Sequence, residues 1–448
     1  MIFSRFRACF FLLAICISLP AHSADLLEVY RQALLSDPLL REANANRLVA
    51  AESKPQARSL LFPQLNFSAS RADQGQDGTS VQFAGMFTEV PIDNNDDQTT
   101  FSLQLTQTLF RWDQFVGLRQ ADKIVTQADI DYKAAEQDLV LRVAERYFNV
   151  LAANDQLESA RGNKEAIARQ LEQSETRFEV GLIAITDVQE SRAAYDQAVA
   201  SEIQARRVLT NANEVLRELT GDYARELESP DNSLPLMLPE PADEEAWVKK
   251  SREQNLSLIS SRLGVEIASD TIKVQRSAHL PTLDLVVNKS DFDSDGDRLG
   301  APVRSDISSD SIELQLNFPI YGGGRVSSRV RESVYQQRAA RERLERVTRE
   351  AERQTRDAYF GVASDISTIS ALEKALESAE TALKATEAGF DVGTRTTVDV
   401  LDARRDLLSA RTNLERSRYD YIINLLRLKQ AAGTLAEADV VKINDWLK

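Results

Sequence analysis

Two hydrophobic patterns alternate along the 448-residue chain. The first has a period of two. Leu65, Phe67 and Ala69 alternate with Gln64, Asn66 and Ser68, and Phe101, Leu103 and Leu105 with Ser102, Gln104 and Thr106. Further on, Leu283, Leu285 and Val287 are set against Thr282, Asp284 and Asn288, and Ile312, Leu314, Leu316 and Phe318 against Ser311, Glu313, Gln315 and Asn317. This predicts four strands with one apolar and one wet face, at about 62–71, 99–110, 281–290 and 310–320. Each has about ten residues, the length that crosses a bilayer when tilted. The stretches 71–99 and 289–310, rich in Asp, Gly, Ser and Asn, predict outward-facing hairpin loops.

The second pattern is helical and long. No proline occurs from Ile92 to Ser229 or from Ile320 to the end. Arg111–Arg161 and Val326–Ala388 each read as one nearly unbroken helix, and sixty residues extend on the order of 90 Å. Val400, Leu407, Leu414, Tyr421 and Leu428 recur at sevens beside a seam of Ala403, Ala410, Ser417 and Asn424. Ser191, Ala198, Ala205 and Ala212 form the matching seam earlier in the chain. Sevens with small residues predict supercoiled, closely approaching helices. Breaks at Gly181 and at Gly389–Gly393 predict tight turns between antiparallel helices.

The unit is written twice. Tyr147-Phe148-x-Val150 returns as Tyr359-Phe360-x-Val362, and Phe178-Glu179-Val180-Gly181 as Phe390-Asp391-Val392-Gly393. The predicted organisation is a first repeat over 24–229, a linking region over 230–245 with Pro230, Pro235, Pro239 and Pro241, and a second repeat over 246–434. A C-terminal segment over 435–448 packs with the linker part-way along the helices. Four strands cannot close a barrel around a lumen, and an open sheet in lipid leaves its edge groups unsatisfied. Several chains must therefore share one barrel; the plainer alternative is the edge of a soluble β-sandwich.

Residues 1–23 differ from the rest. Arg5 and Arg7 precede an apolar run from Cys9 to Leu19, and Ala21-His22-Ser23 offers a cleavage site, which predicts a secretory signal peptide. Both cysteines, Cys9 and Cys16, lie inside it, so disulfides and thiolate chemistry are excluded from the mature chain. Loss of the two arginines takes the net charge from −15 to −17, which argues against nucleic-acid binding. It fits either an acidic solvated surface or a lumen that attracts cations. No later stretch is apolar enough for a transmembrane helix.

No catalytic constellation is visible, so the expectation is that the protein is not an enzyme. His279 is the only histidine left after cleavage, and Gly322-Gly323-Gly324 lacks the Lys-Ser or Lys-Thr of a phosphate loop, fitting a strand-to-helix corner. No cofactor and no structural metal site is expected. The informative polar residues are at the turns. Asp399 and Asp402 share one helix face; repeated around an axis they would form a carboxylate ring that selects cations. Taken without the barrel, an ordinary solvated pair is the plainer reading.

Over nearly the whole mature chain, from Leu26-Leu27-x-Val29-Tyr30 to about Leu447, the sequence resembles the TolC family of outer-membrane efflux proteins. The resemblance is carried by Tyr147-Phe148-Asn149-Val150-Leu151, Val180-Gly181-Leu182-Ile183-Ala184-Ile185-Thr186-Asp187-Val188, Leu280-Pro281-Thr282-Leu283-Asp284-Leu285 and Val392-Gly393-Thr394-Arg395-Thr396-Thr397-Val398-Asp399-Val400-Leu401-Asp402. It implies a membrane β-barrel joined to a long α-helical barrel. Each protomer would supply four transmembrane strands and coiled-coil-like helices, and a homotrimer would close a 12-stranded barrel in outer-membrane lipid. The helices would lie in the periplasm. The implied partners are a periplasmic adaptor (membrane fusion) protein and an inner-membrane pump of RND, ABC or MFS type. The implied cargo is drugs, toxins or secreted proteins, in tripartite efflux or type I secretion. By position, Asp399 and Asp402 match a gate ring at which divalent cations would block the current. Thr186, Asp187 and Arg395 match links that close the entrance. Gly181, Leu182, Gly393 and Thr394 match the turns on which the adaptor docks. One departure stands out: Phe390 occupies the place of a gate tyrosine and has no hydroxyl. The competing class is a soluble periplasmic coiled-coil scaffold, which explains the helices and signal peptide but not four wet-sided strands.

Overall fold

The computed structural model describes residues 24–83, 86–224, 226–230, 234–298 and 301–447. The expected signal peptide at 1–23 lies outside them. Three short helices open the chain: α1 (Leu26–Ser36), α2 (Pro38–Ala51) and α3 (Ser53–Ser59). A hairpin of β1 (Gln64–Phe83) and β2 (Phe87–Phe110) follows, then α4 (Trp112–Glu179) and α5 (Ile185–Thr220). The second copy repeats the order with α6 (Glu244–Gln254), α7 (Leu256–Ser277), β3 (Thr282–Arg298), β4 (Ala301–Asn317), α8 (Arg325–Asp391) and α9 (Thr397–Ala431). A short α10 (Glu437–Asn444) ends it.

The four strands form one antiparallel sheet in chain order, leaving β1 and β4 as edges. The strands run well past the expected ten residues, through 71–83, 87–99, 289–298 and 301–310, where composition had suggested loops. Backbone hydrogen bonds carry an antiparallel ladder whatever the side chains, and the apolar alternation ends where the wall ceases to be apolar. Charge pairs take over above it: Arg71 Nη2 lies 2.7 Å from Asp97 Oδ2, and Lys289 Nζ 3.7 Å from Asp310 Oδ1.

One face of the lower sheet is apolar and exposed in the single chain, with Phe67, Ile312, Leu314 and Leu316 all more than 60% accessible. The opposite face carries Gln104, Ser102 and Asn288, where Ser102 Oγ donates to Asn288 Oδ1 at 3.0 Å. Register fixes the slant of the apolar band. In the first hairpin it spans Leu105 to Phe101, whose partners across the repeat boundary are Val287 to Asp291. In the second hairpin Val287 is already its top. The band drops four residues between hairpins, as a level belt must when it crosses steeply tilted strands.

The helices α4 and α8 have 68 and 67 residues, on the order of 100 Å each. Helices of this length need tertiary contacts to stand, and the core lies near their midpoint. Tyr147 and Phe148 of α4, Leu216 and Leu219 of α5, Val362 and Ile369 of α8, and Ile422 and Leu426 of α9 bury together with Leu26, Val29 and Ile443. The Tyr147 and Phe148 rings meet edge to face, and Phe148 stacks on Tyr419. Tyrosine hydroxyls hold the non-helical segments against this core. Tyr147 donates to Glu228 O at 2.6 Å, and Tyr421 donates to Met237 O at 3.0 Å, so the proline-rich link lies against the helices. The heptad seams are packed inward: Ser191, Ala198, Ala205, Val400, Leu414, Tyr421 and Leu428 are all buried.

Asp37 and Arg142 fasten the N-terminal helices to α4. Asp37, 2% exposed, caps α2 by accepting from Leu40 N and meets Arg142 at 2.8 and 3.2 Å. Burial raises the Asp37 pKa, but the hydrogen bonds from Arg142 and Leu40 outweigh it and hold the carboxyl below its usual range. A carboxylate whose pKa is lowered by folding stabilises above its ordinary value and loses that contribution as pH falls, here below about pH 4. Arg142→Ala is expected to cost about 3 kcal/mol, since it leaves a buried carboxylate unpaired. Thermal unfolding in detergent checks this, and Asp37→Asn should flatten the acid-side fall in stability.

Candidate functional site at the helical tips

The two hairpins of long helices end in turns of the same construction. In the first, Leu182 N donates to Arg177 O at 2.9 Å and Gly181 N to Phe178 O at 2.8 Å. In the second, Thr394 N donates to Gly389 O at 2.8 Å and Gly393 N to Phe390 O at 3.1 Å. This helix-ending pattern needs a left-handed residue, and Gly181 (φ 76°) and Gly393 (φ 79°) supply it. Helix α8 runs through Gly389, so the break falls on Val392–Thr396 rather than starting at Gly389. Gly389 admits the Arg395 side chain: a Cβ there would lie 2.8 Å from Arg395 Cγ.

The acids at the tips have local work. Asp399 Oδ2 accepts from Thr396 N at 2.8 Å and from Thr396 Oγ1 at 3.0 Å, while Asp399 N donates to Thr396 Oγ1. That is a capping box at the start of α9. The Thr396 backbone N–H, then its hydroxyl, hold the Asp399 carboxyl below its usual range. Asp187 does the same more loosely in the first copy, accepting from Ala184 N at 3.2 Å. Asp402, one turn along α9, pairs with Arg405 at 3.0 Å. Among the described residues, no hydrogen bond or ion pair joins Asp187 to Arg395 within the protomer. Thr186 and the Arg395 guanidinium likewise make no side-chain hydrogen bond there. The turns are apolar and bare, with Val180 66%, Leu182 73% and Val392 76% exposed.

Each hairpin carries its own bolt near the tip. Arg192 Nη2 meets Glu175 Oε1 at 2.8 Å across α4 and α5, and Arg404 Nη2 meets Glu387 Oε1 at 2.5 Å across α8 and α9. These two pairs are the same pair, duplicated at the repeat offset. Another contact joins one hairpin to the other. The Arg177 guanidinium lies over the Phe390 ring, 4.6 Å from its centroid, with Nη2 3.5 Å from Asp391 Oδ1. Sequence reasoning missed Arg177. The signal available was its repeat position, which is Gly389: the copies diverge there while the residues around them match.

The family model for outer membrane efflux proteins matches residues 29–222 and 247–434. The chain belongs to this family. The outer membrane protein TolC of Vibrio cholerae is 39% identical over 428 residues, covering 95% of this chain and 94% of that protein. The alkaline protease secretion protein AprF of Pseudomonas aeruginosa is 29% identical over 425 residues, covering 94% and 86%. The Campylobacter jejuni CmeC outer membrane channel has the same fold, with a TM-score of 0.76 over 94% of this chain and 89% of that one at 18% identity. This outer membrane efflux protein is thus a channel of the outer membrane.

Thr396→Ala removes the cap on α9 and is expected to destabilise its first turn by about 1 kcal/mol. Faster amide exchange at Val398–Val400, with exchange around Tyr421 unchanged, is the measurement that checks it.

Proposed function

We propose that three copies of this chain close a twelve-stranded barrel and act as a passive, gated conduit. One observation carries the reading: a four-stranded sheet with an apolar outer face and two open edges, fused to helices on the order of 100 Å long. Further support comes from the upper part of α8, where much of Arg325–Glu350 is exposed in the single chain and awaits a neighbour. A soluble scaffold would have no use for the bare apolar band.

The bare turns at Gly181–Leu182 and Gly393–Thr394 are the surface on which a periplasmic adaptor docks. The adaptor links the channel to an inner-membrane pump of RND, ABC or MFS type, which supplies the energy. Drugs, toxins and secreted proteins then leave through one tunnel, a range supported by the likeness to both an efflux family and a protease secretion protein. Asp399 and Asp402 of three copies form the cation-selective ring at the entrance. Thr186, Asp187 and Arg395 have little to bind within one protomer, which suits them to contacts between protomers in the closed state. Docking opens the entrance to the extent that the adaptor binds the open state better.

Single-channel recording in a planar bilayer tests this. Small cation-selective currents blocked by divalent cations are expected. Asp399→Ala/Asp402→Ala should weaken the block by about tenfold or more, since several unit charges close to the ion are removed. Cation-selective currents with unaltered block would discard the gate ring and keep the channel; folded protein that never inserts would favour the soluble scaffold. Leu314→Arg places a charge in the lipid-facing band and is expected to cost about 2–4 kcal/mol, read as a lower yield of inserted trimer.

A further inference from the structure

We infer that Arg177 is the positioning residue that clamps the two helical hairpins of a protomer together at the closed entrance, an inference that rests on the gate reading above. Phe390 lacks the hydroxyl that a tyrosine would use at this place. The structure supplies a different link. Arg177 sits in the last turn of α4, and its guanidinium covers the Phe390 ring at 4.6 Å while reaching Asp391 at 3.5 Å. Phe390 and Asp391 are the last two residues of α8. One side chain therefore grips the other hairpin twice, through the ring's negative face and through a carboxylate.

Position makes this contact matter. The hydrogen bonds between the hairpins nearer the midpoint are Arg427 to Glu145, Arg416 to Asn149, and Tyr419 to Asp155 at 2.6 Å. Below Asp155, among the described residues, no other hydrogen bond or ion pair joins the two hairpins. The stretch of α4 from Asp155 to Arg177 spans roughly 33 Å. Each hairpin is closed on itself by its duplicated Glu–Arg pair, so it moves as a unit. Arg177 then fixes the spacing of the two units at their free ends. Gly389, at its repeat position, offers no counterpart, so the second hairpin brings the ring and acid while the first brings the cation.

The test is closed-state conductance in bilayers at fixed salt, on trimers whose integrity is confirmed by gel filtration. Arg177→Gln and Phe390→Leu are each expected to raise conductance about threefold, the shift expected when a link favouring the closed state by that factor is lost. The double variant should conduct no more than either single one, because both remove the same contact. Phe390→Trp, which presents a better face to the cation, should lower conductance below that of the unaltered protein. A merely structural role for Arg177 would not produce that opposite change. Two results would overturn the clamp while leaving the gate standing: wild-type conductance in Arg177→Gln, or independent, multiplying effects of Arg177→Gln and Phe390→Leu, with Asp399→Ala/Asp402→Ala still weakening the divalent block. Unaltered block in that aspartate variant would instead remove the gate reading, and the clamp with it.

Discussion

Along the outer edges of β1 and β4 runs a row of backbone N–H and C=O groups that the single chain leaves unpaired. In water such an edge is a hazard; in hydrocarbon it is untenable, because each unsatisfied group costs several kcal/mol there. The sheet around it is otherwise finished, with two faces of opposite character and a fixed register. The edges call for strands from further copies, and the trimer proposed for this chain would supply them. Duplication supplies two hairpins from one gene product, the slanted apolar band would set the tilt at which edges meet, and the bare flank of α8 would face a neighbour. Hydrophobic burial holds each protomer together, while backbone pairing decides how many are needed.

Within the protomer the distribution of strength is uneven. The rings and aliphatic side chains around Tyr147, Phe148, Ile422 and Leu426 are buried near the middle of helices that extend far to either side. Toward the tips burial thins and small or polar seam residues take over. At the turns themselves the ion pairs are largely exposed, as at Arg192–Glu175 and Arg405–Asp402, and such pairs are worth at most about 1 kcal/mol. A firm waist and loosely held ends suit the gating proposed for this chain, since elements that move are drawn from the weakly stabilised part of a fold.

Much of this was legible in the sequence because periodicity survives wherever a face is buried. Leu65–Phe67–Ala69 and Leu283–Leu285–Val287 announced strands, and proline-free heptads announced the helices. The upper strands were not legible: residues such as Asp73, Gly75, Asn95 and Asp97 pair through the backbone with water or charge on both faces, so no alternation marks them. At the tips, Asp399 and Asp402 were visible as neighbours on a helix face, yet the Thr396-x-x-Asp399 cap that occupies one of them was overlooked. Arg177 escaped for a different reason. Its partners are more than two hundred positions away, and only the mismatch between Arg177 and Gly389 in otherwise matching copies pointed to it.

That mismatch has a consequence for the symmetry of the aperture. The helical hairpins are alike enough that three chains would present six nearly equivalent ribs around the axis, and the duplicated Glu175–Arg192 and Glu387–Arg404 pairs preserve that likeness. The Arg177 contact occurs once per chain. In such a trimer it would join the ribs two by two, giving a sixfold wall a threefold closed end. Opening on that reading parts each pair, so three identical separations would widen the aperture.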